Sequence, residues 1–404
     1  MRKFLKWLIP LRIRVLILRG LNYFSDRQAL SLPLPASLRT STKFALVSYV
    51  TAPFRQGSGS TLFTHAGVPK LMVAALHELG YSVELVEWSN TVFAPQKDYD
   101  LFIGHAGRNF ERIAERLSRD CTKIYFSTGT YWKEHNRSEE QRFAALESRR
   151  SLRLPYDRWI NDSEEGANEA ANGIICLGNH VARESYCKFP LVINLNNATY
   201  HTEVKSLPEK DHKAGRANFL FLASLGNVHK GLDLLLEAFS QPELQSKVHL
   251  YICQIIRPDF LSLYKNELEN TPNIHLIGHI DLQSKAFQEL VMKCSFVIHP
   301  SCAEGQPGAV LDCMRYGLIP VLTRENNIDI GEYGFEIFPS VIDIAEKIVE
   351  LSQSSVEDCT RLAGNARRAT STCFSEENFL HNIKVSIQSI VDSHVRQRTD
   401  YLSR

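Results

Sequence analysis

An α/β fold with two parallel-sheet domains is what this sequence predicts, and three observations predict it. Apolar runs of strand length alternate with amphipathic stretches of helix length from residue 43 into the 320s. Glycines stand where the helices must stop, as Gly80 does after THAGVPKLMVAALHEL. A polar interval at 200–216, YHTEVKSLPEKDHKAGR, divides the alternation into two series. Strands alternating with helices imply parallel sheets covered on both faces, hence two Rossmann-like domains. The 404-residue length suits two domains better than one core.

The first 42 residues stand outside this pattern. Residues 1–24 carry Arg2, Lys3, Lys6, Arg12, Arg14 and Arg19 with eleven bulky apolar residues between them, and no acid precedes Asp26. A membrane-spanning helix needs about 20 mostly uncharged residues, and a signal peptide keeps its apolar core free of arginine. The mixture suits a segment lying on an anionic membrane surface; an element packed on the domain or a partner is the competing reading. Residues 25–42, polar with two prolines, read as a linker.

The first domain is expected over 43–205. KFALVSYV is a buried strand, followed by the loop TAPFRQGSGSTLF and a helix whose face is Val68, Leu71, Met72, Ala75, Leu76 and Leu79. DYDLFIGH, KIYFSTGT, GIICLG and LVINLNNAT are further strands, with helices at NFERIAERLSRD, across the charged stretch from Tyr131 to Arg158, and at HVARESYCKF. The second domain is expected over 206–375. NFLFLASL, KVHLYICQ, NIHLIGH, SFVIHPS and LIPVLTR are its strands, and the apolar-periodic stretches between them are its helices. A helix over 376–404 closes the chain and is expected to pack back toward the first domain.

Composition removes several functions. The 46 basic and 45 acidic residues leave a net charge of +1, which excludes a nucleic-acid binder with a broad basic face. The nine cysteines are odd in number, contain no C-x-x-C pair and sit mostly in apolar runs. They read as reduced, buried thiols of a cytosolic protein, and no zinc-ligand spacing occurs.

The stretch richest in chemistry is FVIHPSCAEGQPGAVLDCMRYGLIPVLT, from Phe296 to Thr323. A buried strand ends at Pro300. A loop carries Glu304, Gly305, Gln306 and Pro307, and a helix starts near Gly308 and stops at Gly317. Glycines at 305 and 308 let a ligand approach the backbone closely. The free N–H groups of a helix N-terminus favour an anion. Asp312, one turn into the helix, can face the same cleft as Glu304. Acids accept hydrogen bonds from sugar hydroxyls while the helix end holds phosphate, which points to a nucleotide-sugar site. Alone, an acid-glycine loop before a helix is often only a cap with a turn.

The whole passage resembles the donor-binding signature of glycosyltransferase family 4, the E-x7-E motif of the GT-B fold, here Glu304-x7-Asp312 with HPS before it and YGLIPV after it. FLFLASLGNVHKGLDLLLEAF (219–239) resembles the first strand, loop and helix of that family's second domain, whose Arg and Lys grip the donor diphosphate. Lys230 falls on the family lysine. The family arginine is missing, and Ser224, with Asn227 nearby, occupies its region. The grip therefore has one charge fewer, or another basic residue supplies it. The resemblance spans roughly residues 43–375 in architecture and is specific in the second half. In the first domain, Gly57-Ser58-Gly59-Ser60 lies where GT-B enzymes often carry a glycine-rich loop facing the cleft. With Leu62 in place of the last glycine, it is no dinucleotide fingerprint. Family members also place a histidine after a first-domain strand. KIYFSTGT ends without one, and the nearest histidines, His105 and His135, read more readily as structural. Thr128 and Gly129 can line the cleft through their backbone.

The resemblance implies two Rossmann-like domains facing a central cleft. It implies a glycosyltransferase moving a sugar, with retention, from a nucleoside diphosphate donor to a glycan or lipid-linked acceptor in cell-surface polysaccharide synthesis. Glu304 and Lys230 are the expected catalytic residues. Asp312, Gly305, Gln306, Pro307, Gly308, Ser224 and Asn227 are expected on the donor, and Gly57, Gly59, His105, Thr128, Gly129 and His135 along the cleft. No metal and no cofactor beyond the donor are expected. The expected location is cytoplasmic, peripheral on the inner face of the membrane through residues 1–24. The alternative is a non-catalytic GT-B-like sugar-binding or scaffold subunit.

Overall fold

The computed structural model describes residues 28–35, 43–55, 67–199 and 210–402. The basic segment 1–24, most of the linker, the Gly57–Gly59 loop and the boundary at 205/206 lie outside the described residues. No helix among the described residues is long and apolar enough to cross a membrane. The chain forms two compact units that interleave along its length. One comprises Met1–Phe126, Glu164–Ile174 and Ile383–Arg404; the other comprises Ser127–Ser163 and Ile175–Asn382.

In the first unit, β2 (Lys43–Tyr49), β3 (Tyr81–Glu87), β4 (Leu101–Gly104) and β5 (Thr122–Ser127) run parallel, as their apolar runs predict. A further strand, β1 (Leu30–Leu32), pairs antiparallel with β3 and gives the order β1-β3-β2-β4-β5. Polar composition and two prolines predict a linker here. Three residues are too few to show a period, and only pairing to Val83, Glu84 and Leu85 makes them a strand. The helix Gly67–Glu78 buries Val68, Met72, Ala75 and Leu76, and Gly80 ends it at φ +86°.

The last helix, Glu376–Leu402, joins this unit through its second part. Ile383, Ile387 and Ile390 recur at helical spacing and are buried. The Ile390 side chain lies over Gly173, where an added Cβ would stand only 2.8 Å from it. His394 Nδ1 meets Thr122 Oγ1 at 2.9 Å, and Lys384 Nζ meets Glu78 Oε2 at 2.7 Å.

Further along the chain come β6 (Gly173–Leu177) and β7 (Val192–Leu195). The second unit is built on β8 (Asn218–Leu222), β9 (His249–Cys253), β10 (Ile274–Leu276), β11 (Phe296–His299), β12 (Ile319–Leu322) and β13 (Phe335–Glu336). They form a six-stranded parallel sheet ordered β10-β9-β8-β11-β12-β13. Side chains alternate between two cores: Phe219 and Phe221 enter one, Leu220 and Leu222 the other.

The charged stretch after β5 is a helix, Trp132–Arg150, ended by Ser151 at φ +53°. It packs in the second unit. Phe143 and Leu146 enter the core of Phe219 and Phe221. Arg149 meets Asp233 at 2.5 Å and Glu237 at 2.8 Å, while Arg150 meets Glu237 at 3.0 Å and Glu267 at 2.6 Å. Residues 127–163 therefore fold with the later sheet, although they lie within the first series of the alternation. The expected helix PDFLSLYKNELENT is interrupted at Tyr264, giving Pro258–Leu263 and Lys265–Asn270.

Because Ile390 is fully buried, Ile390→Ala is expected to cost about 2–4 kcal/mol. Urea unfolding checks this, and an unchanged midpoint would mean that the last helix is not docked as described.

Candidate active site

The strand order reverses between β8 and β11, which are hydrogen-bonded neighbours. The connection after β8 departs to one side and the connection after β11 to the other, which opens a crevice at their carboxyl ends. The loop after β8 carries Lys230 and the loop after β11 carries Glu304.

Lys230 is held by backbone geometry. Its N–H donates to the Gly226 carbonyl at 3.0 Å, and Gly231 turns the chain at φ +82° into the helix Leu232–Phe239. A Cβ at Gly231 would stand 2.3 Å from the Pro300 carbonyl oxygen, so only a glycine lets the two loops come this close here. The Arg142 guanidinium also reaches this point, donating from Nη1 to Pro300 O at 2.9 Å.

Glu304 meets Lys230 directly, through an Nζ–Oε1 ion pair that is almost wholly buried. Ser301 Oγ donates to the same Oε1 at 2.6 Å. Burial would raise the Glu304 pKa, but Lys230 outweighs it and holds the carboxyl well below the usual carboxylate range. Burial also lowers the Lys230 pKa, and Glu304 offsets part of that fall. The HPS flank is structural. His299 Nδ1 lies 2.7 Å from Asn326 Oδ1, and burial pushes its pKa down to about 4, so the ring is neutral. Thr323 Oγ1 donates to Ser301 O at 2.6 Å. After Pro307 the helix Gly308–Arg315 begins, its N-terminal N–H groups at the same crevice.

Behind the loops lies a buried pair that sequence reasoning did not find. Glu139, on the Trp132–Arg150 helix, lies with Oε1 3.7 Å from His229 Nδ1, both residues about fully buried. His229 Nε2 faces Ala303 O at 2.7 Å, so the imidazole reaches the residue before Glu304. Burial lowers the His229 pKa, but Cys302 and Glu139 outweigh it and push it up to about 9. Glu139 Oε1 also accepts from the Asp157 and Arg158 N–H groups at 2.9 and 2.6 Å. His135 stacks on His229 with centroids 4.9 Å apart. His135, Glu139 and His229 bring ligand-type atoms within 4.8 Å of one another, the one such group among the described residues.

The expected residues divide accordingly. Glu304, Gly305, Lys230, Thr128 and Gly129 come together: a Cβ at Gly305 would stand 2.2 Å from Thr128 O, and one at Gly129 would stand 3.4 Å from Gly305 N. Asp312 is buried on the helix, one turn in. Ser224 is exposed at the start of the β8 loop. The Asn227 side chain is buried and engaged within the fold: its amide donates to Gln254 Oε1 at 2.7 Å and Ile255 O at 3.1 Å and accepts from Arg257 N–H at 3.0 Å. The Gln306 side chain is similarly committed, to Asn196, Asn197 and Asn327. His135 faces Arg158 O through Nε2 at 2.9 Å, and burial pushes its pKa down to about 4. His105 belongs to the other unit, where Nδ1 meets Phe126 O at 3.0 Å and the ring packs on Tyr49. Seven of the nine cysteines are buried and all are free.

Two parallel-sheet units, one with a lysine on one switch-point loop and a carboxylate before a helix N-terminus on the next, resemble GT-B proteins in fold. Residues 216–354 match the family model described as "Glycosyl transferases group 1". Solved structures share the fold. HepE of Anabaena, in complex with UDP and glucose, aligns with a TM-score of 0.53 at 14% identity, over 86% of this chain and 99% of its own. Sucrose-phosphate synthase of Thermosynechococcus elongatus aligns at 0.59 and 12%, over 87% and 100%. A glycosyltransferase of Rickettsia africae aligns at 0.56 and 12%, over 87% and 99%. No curated protein sequence matches the chain.

The His229–Glu139 pair makes stability depend on pH. His229 has a folded pKa near 9, above its ordinary value of about 6.5. The fold therefore favours the protonated ring. Its contribution is complete below pH 6.5 and is lost as pH rises through about 9. The stability advantage of wild type over His229→Gln is expected to shrink by a few kcal/mol, as an order of magnitude, between pH 6 and 9.5. Urea midpoints at the two pH values check this; a constant advantage would show that His229 is neutral.

Proposed function

We propose that this glycosyltransferase moves a sugar, with retention of configuration, from a nucleoside diphosphate donor to a glycan or lipid-linked acceptor in the synthesis of a cell-surface polysaccharide. The Lys230–Glu304 pair at the β8/β11 switch point is the observation that carries the reading. A lysine at this place neutralises charge on the leaving diphosphate, and the N-terminus of the helix Gly308–Arg315 adds its N–H groups and dipole. Glu304, held ionised, accepts hydrogen bonds from donor-sugar hydroxyls, and Asp312 serves the ribose. Gly305 and Gly308 let the donor approach the main chain. HepE, with its bound UDP and glucose, supports a UDP-type donor. With lysine and helix end meeting the phosphates, the proposed reaction uses no metal and no cofactor besides the donor.

The acceptor side is proposed to include the main chain at Thr128 and Gly129. Beside it, a cleft of about 410 Å³ is lined by Thr130, Glu134, Ser185, Ala303, Arg324 and Asn327 among others. Thr130 Oγ1 and Asn327 Oδ1 are buried there without a hydrogen-bond partner, so hydroxyl groups of a glycan would find donors and acceptors. The proposed location is cytoplasmic, with residues 1–24 on the inner face of a membrane, which suits a lipid-linked acceptor.

Glu304→Gln and Lys230→Ala are each expected to lower transfer at least about 100-fold while far-UV circular dichroism stays unchanged. Product formation with a panel of nucleotide sugars, read by mass spectrometry, measures it. Wild-type rates in both variants would sink the site assignment; donor binding without turnover by the native chain would mark a sugar-binding subunit instead.

Removing residues 1–30 is expected to shift the protein from the membrane to the soluble fraction on cell fractionation. An unchanged distribution would refute the membrane role of this segment.

A further inference from the structure

The β8 loop itself carries one lysine at the site, Lys230, and no arginine; residue 224 is an exposed serine. Another segment of the same unit brings an arginine to this loop. Arg158 follows the Trp132–Arg150 helix, and its main chain is fixed on both sides. Its N–H donates to buried Glu139 Oε1 at 2.6 Å, and its carbonyl faces His135 Nε2 at 2.9 Å. The preceding residue is bonded to the β8 loop: Asp157 Oδ2 accepts from the Val228 and His229 N–H groups at 2.7 and 3.1 Å.

The Arg158 side chain then runs over Gly226. A Cβ at Gly226 would stand 2.9 Å from Arg158 Cγ and 3.3 Å from Cδ, and Gly226 has φ +97°. Only glycine suits that backbone and leaves room for the arginine stem. Beyond Cδ the guanidinium is uncommitted. Among the described residues it makes no hydrogen bond, ion pair or ring contact, and Arg158 is exposed. Arg257, the other arginine at this loop, is used by Asp157 and Asp259. Lys230 feels the Arg158 charge. Burial lowers the lysine's pKa, Glu304 raises it, and Arg158 lowers it further. Two like charges at one loop repel unless an anion lies between them, and a guanidinium can grip a phosphate through two N–H groups.

We propose that Arg158 binds the donor diphosphate together with Lys230, supplying from the Ser127–Ser163 segment the guanidinium that the β8 loop lacks. An ordinary surface arginine needs neither a buried carboxylate clamping its backbone nor a glycine beneath its stem. The proposal rests on the donor reading of the Lys230–Glu304 site.

Isothermal titration calorimetry of the full chain with UDP, GDP and ADP tests it, using wild type, Arg158→Ala and Arg158→Lys. For whichever diphosphate wild type binds, Arg158→Ala is expected to weaken binding at least about 10-fold, with Arg158→Lys in between. The melting temperature of the unliganded protein stays unchanged, because the guanidinium has no partner within the fold. Equal affinity of wild type and Arg158→Ala overturns the inference and leaves the donor reading standing. Weakened binding with a matching loss of unliganded melting temperature also overturns it, since Arg158 would then act through the fold. If wild type binds none of the three, the donor reading fails and the inference with it.

Discussion

Everything at this site depends on the ion pair between Lys230 and Glu304. The two residues are 74 positions apart and stand on loops from neighbouring strands. Each charge alone in so buried a place would cost several kcal/mol, so neither loop can move without exposing the partner's cost. The pair therefore holds the two loops at the switch point of the sheet in one relation. It also keeps a carboxylate ionised and a lysine buried at the carboxyl ends of β8 and β11, where a parallel sheet receives its ligands.

The pair is supported from behind by polar groups that touch no expected ligand. Arg142 donates to the Pro300 carbonyl, and Gly231 lies against the same oxygen. His229 faces the Ala303 carbonyl on one side and Glu139 on the other. Asp157 takes two N–H groups of the lysine loop. Glu139, Arg142 and Asp157 all come from the Ser127–Ser163 segment, which is why that segment compacts with the later sheet. Its helix adds Phe143 and Leu146 to the core and two arginines to a cluster with Asp233, Glu237 and Glu267. One stretch of chain thus serves both packing and loop placement.

Some of this was legible in the residues. Strands with alternating or continuous apolar runs appeared where expected, because a strand buried on both faces must be largely apolar, as Phe296, Val297 and Ile298 are. Glu304, Gly305 and Lys230 were singled out by the resemblance of their passages to the family 4 donor signature, since an acid-glycine loop before a helix is by itself often only a cap with a turn. Leu30–Leu32 was missed because three residues carry no periodicity, and its identity as a strand lies in its pairing with β3. Asn227 and Gln306 were assigned to the donor on position alone. Their amides are filled by Gln254, Ile255 and Arg257 in one case and by Asn196, Asn197 and Asn327 in the other. Hydrogen-bond capacity is finite, and sequence does not show who uses it.

By itself the sequence determined the two α/β series, the carboxylate-glycine loop before its helix and the lysine at the β8 turn. Those features are local: they follow from apolar period, glycine placement and the spacing of a strand, a loop and a helix. Only the tertiary structure decided that Glu304 meets Lys230 in a buried pair, that Glu139 backs His229, and that Arg158 lies over Gly226. Each of these joins residues distant in the chain. Burial turns such encounters into strong interactions, and burial is a property of the folded chain rather than of any segment.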